Sequence, residues 1–64
     1  MKCSELLKLL LKDGWEVVSS KGSHLKMRHP FKPGVIIFPD HGPKEIGKGL
    51  QKKISKDAGL KHNK

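Results

Sequence analysis

The sequence predicts a small α+β fold of order helix, strand, strand, strand, helix, with a three-stranded antiparallel sheet and both helices on one of its faces. Three observations carry this. Leucines recur at helical spacing near the start (Leu6, Leu7, Leu10, Leu11), residues 23–29 alternate between apolar and basic, and only short, turn-rich segments separate three β-type runs. Short connections favour antiparallel neighbours, because a parallel pair needs a long crossover.

The first helix is expected over Ser4 to Asp13. Ser4 supplies an N-cap, Glu5 sits at the positive end of the helix dipole, and Gly14 offers a C-terminal stop. The four leucines form the stripe that a core would cover. Trp15 to Ser20 follows as a β-rich run, with Trp15 and Val17 on one face and Glu16 and Val18 on the other, and Lys21-Gly22 reads as a turn. Ser23 to His29 then alternates: Leu25 and Met27 point one way, while His24, Lys26 and Arg28 point the other. This is the pattern of a half-buried strand with a basic outer face.

Val35 to Phe38 is a continuous apolar run between Pro33-Gly34 and Pro39, which reads as a third strand, central or covered. Asp40-His41-Gly42-Pro43 is a loop, and Gly47 and Gly49 disfavour a helix before about Lys48. The second helix then carries Leu50, Ile54 and Ala58 on one face and closes at Gly59-Leu60. Each helix needs an apolar partner, so both are placed on one sheet face and the other is left open. Residues 1–60 are expected as a single domain and Lys61 to Lys64 as a basic, frayed tail.

A chain of 64 residues has room for one thin core. Its 34% apolar and 31% charged residues lie near the norm for folded chains. The single cysteine, Cys3, read as a small half-buried residue, excludes an internal disulfide and a cysteine-rich zinc site and fits a reducing cytoplasm. The run Leu9 to Leu11 is too short to span a membrane and is flanked by Lys8 and Lys12. The net charge of +8 points to a polyanionic partner, either nucleic acid or an acidic protein, and does not choose between them.

His24 is the most informative side chain. An exposed imidazole in a cationic stripe suits phosphodiester chemistry: neighbouring cations attract the phosphate, and imidazole exchanges a proton near neutral pH. The alternative is an ordinary surface histidine. The acidic residues Glu5, Asp13, Glu16, Asp40, Glu45 and Asp57 are scattered singly, which favours a metal-free route using histidine and the 2′-hydroxyl of RNA over two-metal hydrolysis. His24, His29 and His41 match no recognised metal-ligand spacing, so neither metal nor cofactor is expected. Ser23 is a poor nucleophile candidate, because adjacent strand residues face opposite ways. Gly22 and Ser23 instead shape the turn and offer hydrogen bonds to a phosphate.

In the second helix Lys48, Lys52 and Lys56 recur every four residues, with Lys53 beside them. Their mutual repulsion is mildly unfavourable unless an anion relieves it, and a merely solvated lysine face is the alternative. With one Trp, two Phe and no Tyr, backbone and shape contacts are more suitable than aromatic stacking for RNA recognition.

Across Ser4 to Leu60 the chain resembles the HicA toxin family. The resemblance rests on the opening S-E-L-L-K-L-L, D-G-W at Asp13 to Trp15, K-G-S-H at Lys21 to His24, H-P-x-K-P-G at His29 to Gly34, P-x-H-G at Pro39 to Gly42 and K-x-A-G-L at Lys56 to Leu60. It implies a fold like that of double-stranded-RNA-binding domains, an endoribonuclease acting on mRNA, and a HicB-type antitoxin protein that blocks the RNA-facing surface; metal independence follows instead from the scattered acidic residues. The resemblance also makes His24 the catalytic histidine; the turn, the basic strand face and the lysine stripe read above make Lys21, Gly22, Ser23, Lys26, Arg28, Lys48, Lys52 and Lys56 the expected RNA contacts. Two departures bear on substrate preference: Leu50 stands where many relatives carry Thr, and Leu25-Lys26-Met27 replaces a His- and Phe-containing strand. A non-catalytic RNA-binding module using the same basic face is the alternative function, and a domain that docks an acidic protein is a third.

Overall fold

The computed structural model describes residues 1–60; the tail expected over residues 61–64 lies outside them. The elements are α1 (Cys3–Asp13), β1 (Glu16–Lys21), β2 (His24–Arg28), β3 (Val35–Pro39) and α2 (Lys48–Ala58), in the expected order. The strands form one antiparallel sheet in the order β1-β2-β3. The core joins Cys3, Leu6 and Leu10 of α1, Trp15, Met27 of β2, Ile36 and Phe38 of β3, Ile46, and Ile54 and Ala58 of α2. Both helices therefore cover the sheet face that carries Met27, Ile36 and Phe38, and the other face is bare.

Several local expectations are corrected. Ser4 does not cap α1, which begins one residue earlier with Lys2 in the cap position. The Lys2 N–H donates to Glu5 Oε1 at 2.7 Å, while the Cys3 and Ser4 N–H groups donate to the carbonyls of Lys44 (2.8 Å) and Gly42 (2.9 Å). Carbonyls of the β3–α2 loop thus satisfy the donors left over at the helix start. The buried stripe is Cys3, Leu6 and Leu10, flanked by Leu7; Leu11 falls off it and is exposed, and Cys3 is fully rather than half buried. Leu50 is likewise exposed at the margin of the α2 stripe, where Ser55 is buried beside Ile54 and Ala58.

The strands differ from expectation in a related way. β3 is an edge strand, not a central or doubly covered one, because β2 lies between the other two. Its run splits by pleat: Ile36 and Phe38 are buried, while Val35 and Ile37 face the bare side at 46% and 55% exposure. All of β1 is exposed, Val17 included, and the ladder shifts between Val17 and Ser19, so that Val18 is a bulge residue. Trp15 does the packing before the strand begins, with its indole N–H donating to the Ala58 carbonyl at 3.2 Å.

The two helices run the same way. Their N-terminal ends meet the β3–α2 loop, where the Ile46 N–H donates to the Met1 carbonyl at 3.0 Å. Their C-terminal ends meet the β2–β3 connection. There Gly14 adopts φ +114°, and a Cβ on it would lie 2.7 Å from His29 Nε2. His29 Nδ1 accepts from the N–H groups of Phe31 (3.0 Å) and Lys32 (3.2 Å), so Nε2 carries the proton and donates to the Asp13 carbonyl at 2.8 Å. The Lys32 ammonium donates to Asp13 Oδ2 (2.6 Å) and to the carbonyls of Ala58 (3.0 Å) and Gly59 (3.3 Å). The hydrogen bond from Lys32, more than its charge, holds the Asp13 carboxyl below its usual range. One histidine and one lysine thus close the negative ends of both helices.

Candidate nucleic-acid interface

The bare sheet face is built in three rows. Cross-strand partners point the same way, so the register places Lys21, His24 and Pro39 in the row nearest the β1–β2 turn, Ser19, Lys26 and Ile37 in the next, and Glu16, Arg28 and Val35 in the last. Down the central strand His24, Lys26 and Arg28 are all exposed and follow one another at roughly 7 Å, two residues of strand rise. Beside this cationic column runs the exposed aliphatic column Val35 and Ile37, which the expectation of a covered third strand had hidden.

The turn itself is Gly22-Ser23, with Lys21 inside β1 rather than in the turn as the sequence suggested. Gly22 has φ +60°, the positive value a type II′ hairpin requires at its first central residue, whereas no non-glycine residue among those described has positive φ. A side chain there would meet nothing within 4 Å, so the glycine serves the backbone angle and not a close approach. The Asp40 N–H donates to the Ser23 carbonyl at 2.6 Å, and Asp40 Oδ1 accepts from the Gly42 N–H at 3.3 Å. The β3–α2 loop, with exposed His41, is therefore pinned beside the hairpin turn. Sequence reasoning gave this loop no part in the site; the signal available was its position immediately after the strand that pairs with β2.

The structure brings together Lys21, Gly22, Ser23, His24, Lys26 and Arg28. It does not bring the α2 lysines onto the same face. Lys48, Lys52 and Lys56 are exposed on a helix that packs against the core side of β3, so they belong to the opposite layer. Lys48 lies at the helix start, toward the β3–α2 loop, and Lys56 lies toward the Lys32 end.

The histidines divide clearly. His29 has both ring nitrogens committed and a side chain only 6% exposed. His24 is open to solvent in a cationic row. Among the described residues no three or more His, Cys, Asp or Glu gather as a group able to hold a metal ion, and no helix is long and apolar enough to cross a membrane. Such a surface attracts a polyanion and presents an imidazole to it.

The family described as the HicA toxin of bacterial toxin-antitoxin systems matches residues 3–60, from the first residue of α1 to the residue after the α2 stop. The chain is also 49% identical over 61 residues, 95% of its length, to a probable mRNA interferase HicA of Pseudomonas fluorescens, covering 98% of that relative.

Proposed function

The chain belongs to the HicA toxin family, and from that premise we propose that His24 moves the proton when this toxin cleaves mRNA. It is the toxin of a toxin–antitoxin pair and an endoribonuclease. The observation that carries the assignment is the contrast between His24, exposed in the row with Lys21 on the bare face, and His29, which is consumed in closing α1. Imidazole accepts the proton of the 2′-hydroxyl as the 2′-oxygen attacks the adjacent phosphorus. The nucleophile belongs to the substrate, so no metal-bound hydroxide is required.

Lys26 and Arg28 hold neighbouring phosphates along the central strand, and the Gly22-Ser23 turn offers backbone groups to the phosphate nearest His24. Lys48, Lys52 and Lys56 give a separate cationic surface on the helical layer, suited to a more distant part of the RNA. Residues 1–60 act as one domain. A HicB-type antitoxin covers the bare face, and the pair works in the cytoplasm.

The test uses purified protein and a defined RNA. His24→Ala lowers the cleavage rate by about two to four orders of magnitude, and a 2′-deoxy nucleotide at the scissile position blocks cleavage by the wild type. Wild-type rates from His24→Ala overturn the assignment, and complete loss of wild-type activity in chelator overturns the metal-free route.

A further inference from the structure

Lys21 and His24 close the β1–β2 hairpin as directly opposed residues. The two-residue Gly22-Ser23 turn sets that register, both side chains project from the bare face, and opposed Cβ atoms lie about 4.5–5.5 Å apart. An ammonium on a flexible four-carbon stem thus reaches whatever phosphate the imidazole reaches. It is also free to do so: among the described residues, no ion pair engages Lys21, in contrast to Lys32 with its three partners. Lys26 and Arg28 lie one and two rows farther along, which suits them to flanking phosphates instead.

We infer that Lys21 is a second catalytic residue, whose ammonium stabilises the negative charge that builds on the non-bridging oxygens of the scissile phosphate. The inference rests on His24 as the proton-transfer group and adds a division of labour within the K-G-S-H segment. The 2′-oxygen bonds to phosphorus as its proton passes to the His24 imidazole; the phosphorus–5′-oxygen bond breaks, and the departing oxygen takes a proton from water. The products are a 2′,3′-cyclic phosphate and a 5′-hydroxyl. Lys21 takes no part in the proton transfers and acts through charge alone, where developing charge makes it most effective. In this arrangement the glycine and serine of the motif contribute chiefly by bringing the two reactive side chains level.

The test compares kcat and KM for RNA cleavage by wild type, Lys21→Met, Lys21→Arg, Lys26→Ala, His24→Ala and His41→Ala, with Lys8→Ala on α1 as a charge-matched control. Lys21→Met is expected to lower kcat by about 10²–10³-fold with KM changed only a few-fold. Lys21→Arg recovers at least a tenth of the wild-type kcat, Lys26→Ala raises KM, and Lys8→Ala matches the wild type. A raised KM with normal kcat in Lys21→Met makes Lys21 an ordinary phosphate contact and overturns the proposal. So does a kcat loss that arginine leaves unrepaired, or a normal Lys21→Met kcat accompanied by a deficient His41→Ala. Retained cleavage by His24→Ala would instead sink the underlying assignment of the proton-transfer group, whatever Lys21 does.

Discussion

The two ends of β2 each carry a histidine and a neighbouring lysine, and the two pairs are opposite in character. At the far end, His29 and Lys32 make every available bond: to Asp13, to the β2–β3 backbone and to the last carbonyls of α2. At the turn end, His24 and Lys21 face each other on an open surface, and no ion pair among the described residues holds either of them. Charge and residue type alone do not mark a functional site; the absence of internal partners does. The shared family segments divide accordingly. D-G-W, H-P-x-K-P-G and A-G-L build a clamp on two helix ends, and K-G-S-H builds an open, cationic end of the sheet.

The comparison is broken most severely at Gly14. Alanine there meets both a φ of +114° and a 2.7 Å approach to His29 Nε2, a ring that its own three hydrogen bonds hold in place. The left-handed angle alone costs about 1–2 kcal/mol and displacing a packed ring about 1–3 more. Gly14→Ala is therefore expected to lose about 2–5 kcal/mol in urea unfolding, a large share of what so small a domain possesses. Cleavage per folded molecule, measured where the variant remains folded, should be unchanged. A normal unfolding midpoint would show that the clamp yields easily and is not the rigid partner of the open end.

Much of this division was legible in the sequence, and its limits have physical causes. The alternation of Leu25 and Met27 with His24, Lys26 and Arg28 fixed the strand phase, because one face of an antiparallel strand must meet the core. The glycine stops of both helices were visible for the same local reason. Leu11, Leu50 and Val17 were misplaced because periodicity shows which residues share a face and not how wide the core beneath that face is. The bulge at Val18 and the edge position of β3 depend on pairing between segments, which no single segment records. Lys21 was drawn into the turn by its glycine neighbour, and that one-residue offset hid its place opposite His24. The clamp was invisible in advance because Asp13, Lys32 and Ala58 come from three distant parts of the chain.

A more moderate loss is expected on removing the clamp's charge. Lys32→Met deletes the 2.6 Å bond to Asp13 and the contacts with the Ala58 and Gly59 carbonyls while keeping the aliphatic stem. A half-exposed group of this kind contributes about 1–2 kcal/mol after allowance for solvent screening. Its pH dependence carries a definite sign. The Asp13 carboxyl is lowered in the folded protein, chiefly by the Lys32 hydrogen bond, so its contribution is complete above the ordinary carboxylate range and is lost as pH falls through the lowered value. Unfolding midpoints across acid pH should fall for the wild type and fall less for Lys32→Met, so that the two curves converge at low pH. Parallel curves would remove Asp13 as the partner that matters.

The smallest effect on stability belongs to the open end, and it sharpens the comparison most. Lys26 lies between His24 and Arg28 in the cationic column, with Ser19 and Ile37 as its cross-strand neighbours. Truncating it removes no internal bond and relieves repulsion with Arg28, so Lys26→Ala should change unfolding by no more than about 0.5 kcal/mol, with any gain largest at low salt. RNA affinity should nevertheless fall, and the slope of log affinity against log salt should decrease by about 0.7–1, the loss of one phosphate contact. A surface held apart for a polyanion behaves in this way: its charges are a mild burden to the free fold and acquire their value only when the ligand arrives. If Lys26→Ala destabilised the protein as much as Lys32→Met while leaving the salt slope intact, the turn end would be a second clamp, and the contrast between the two ends of β2 would collapse.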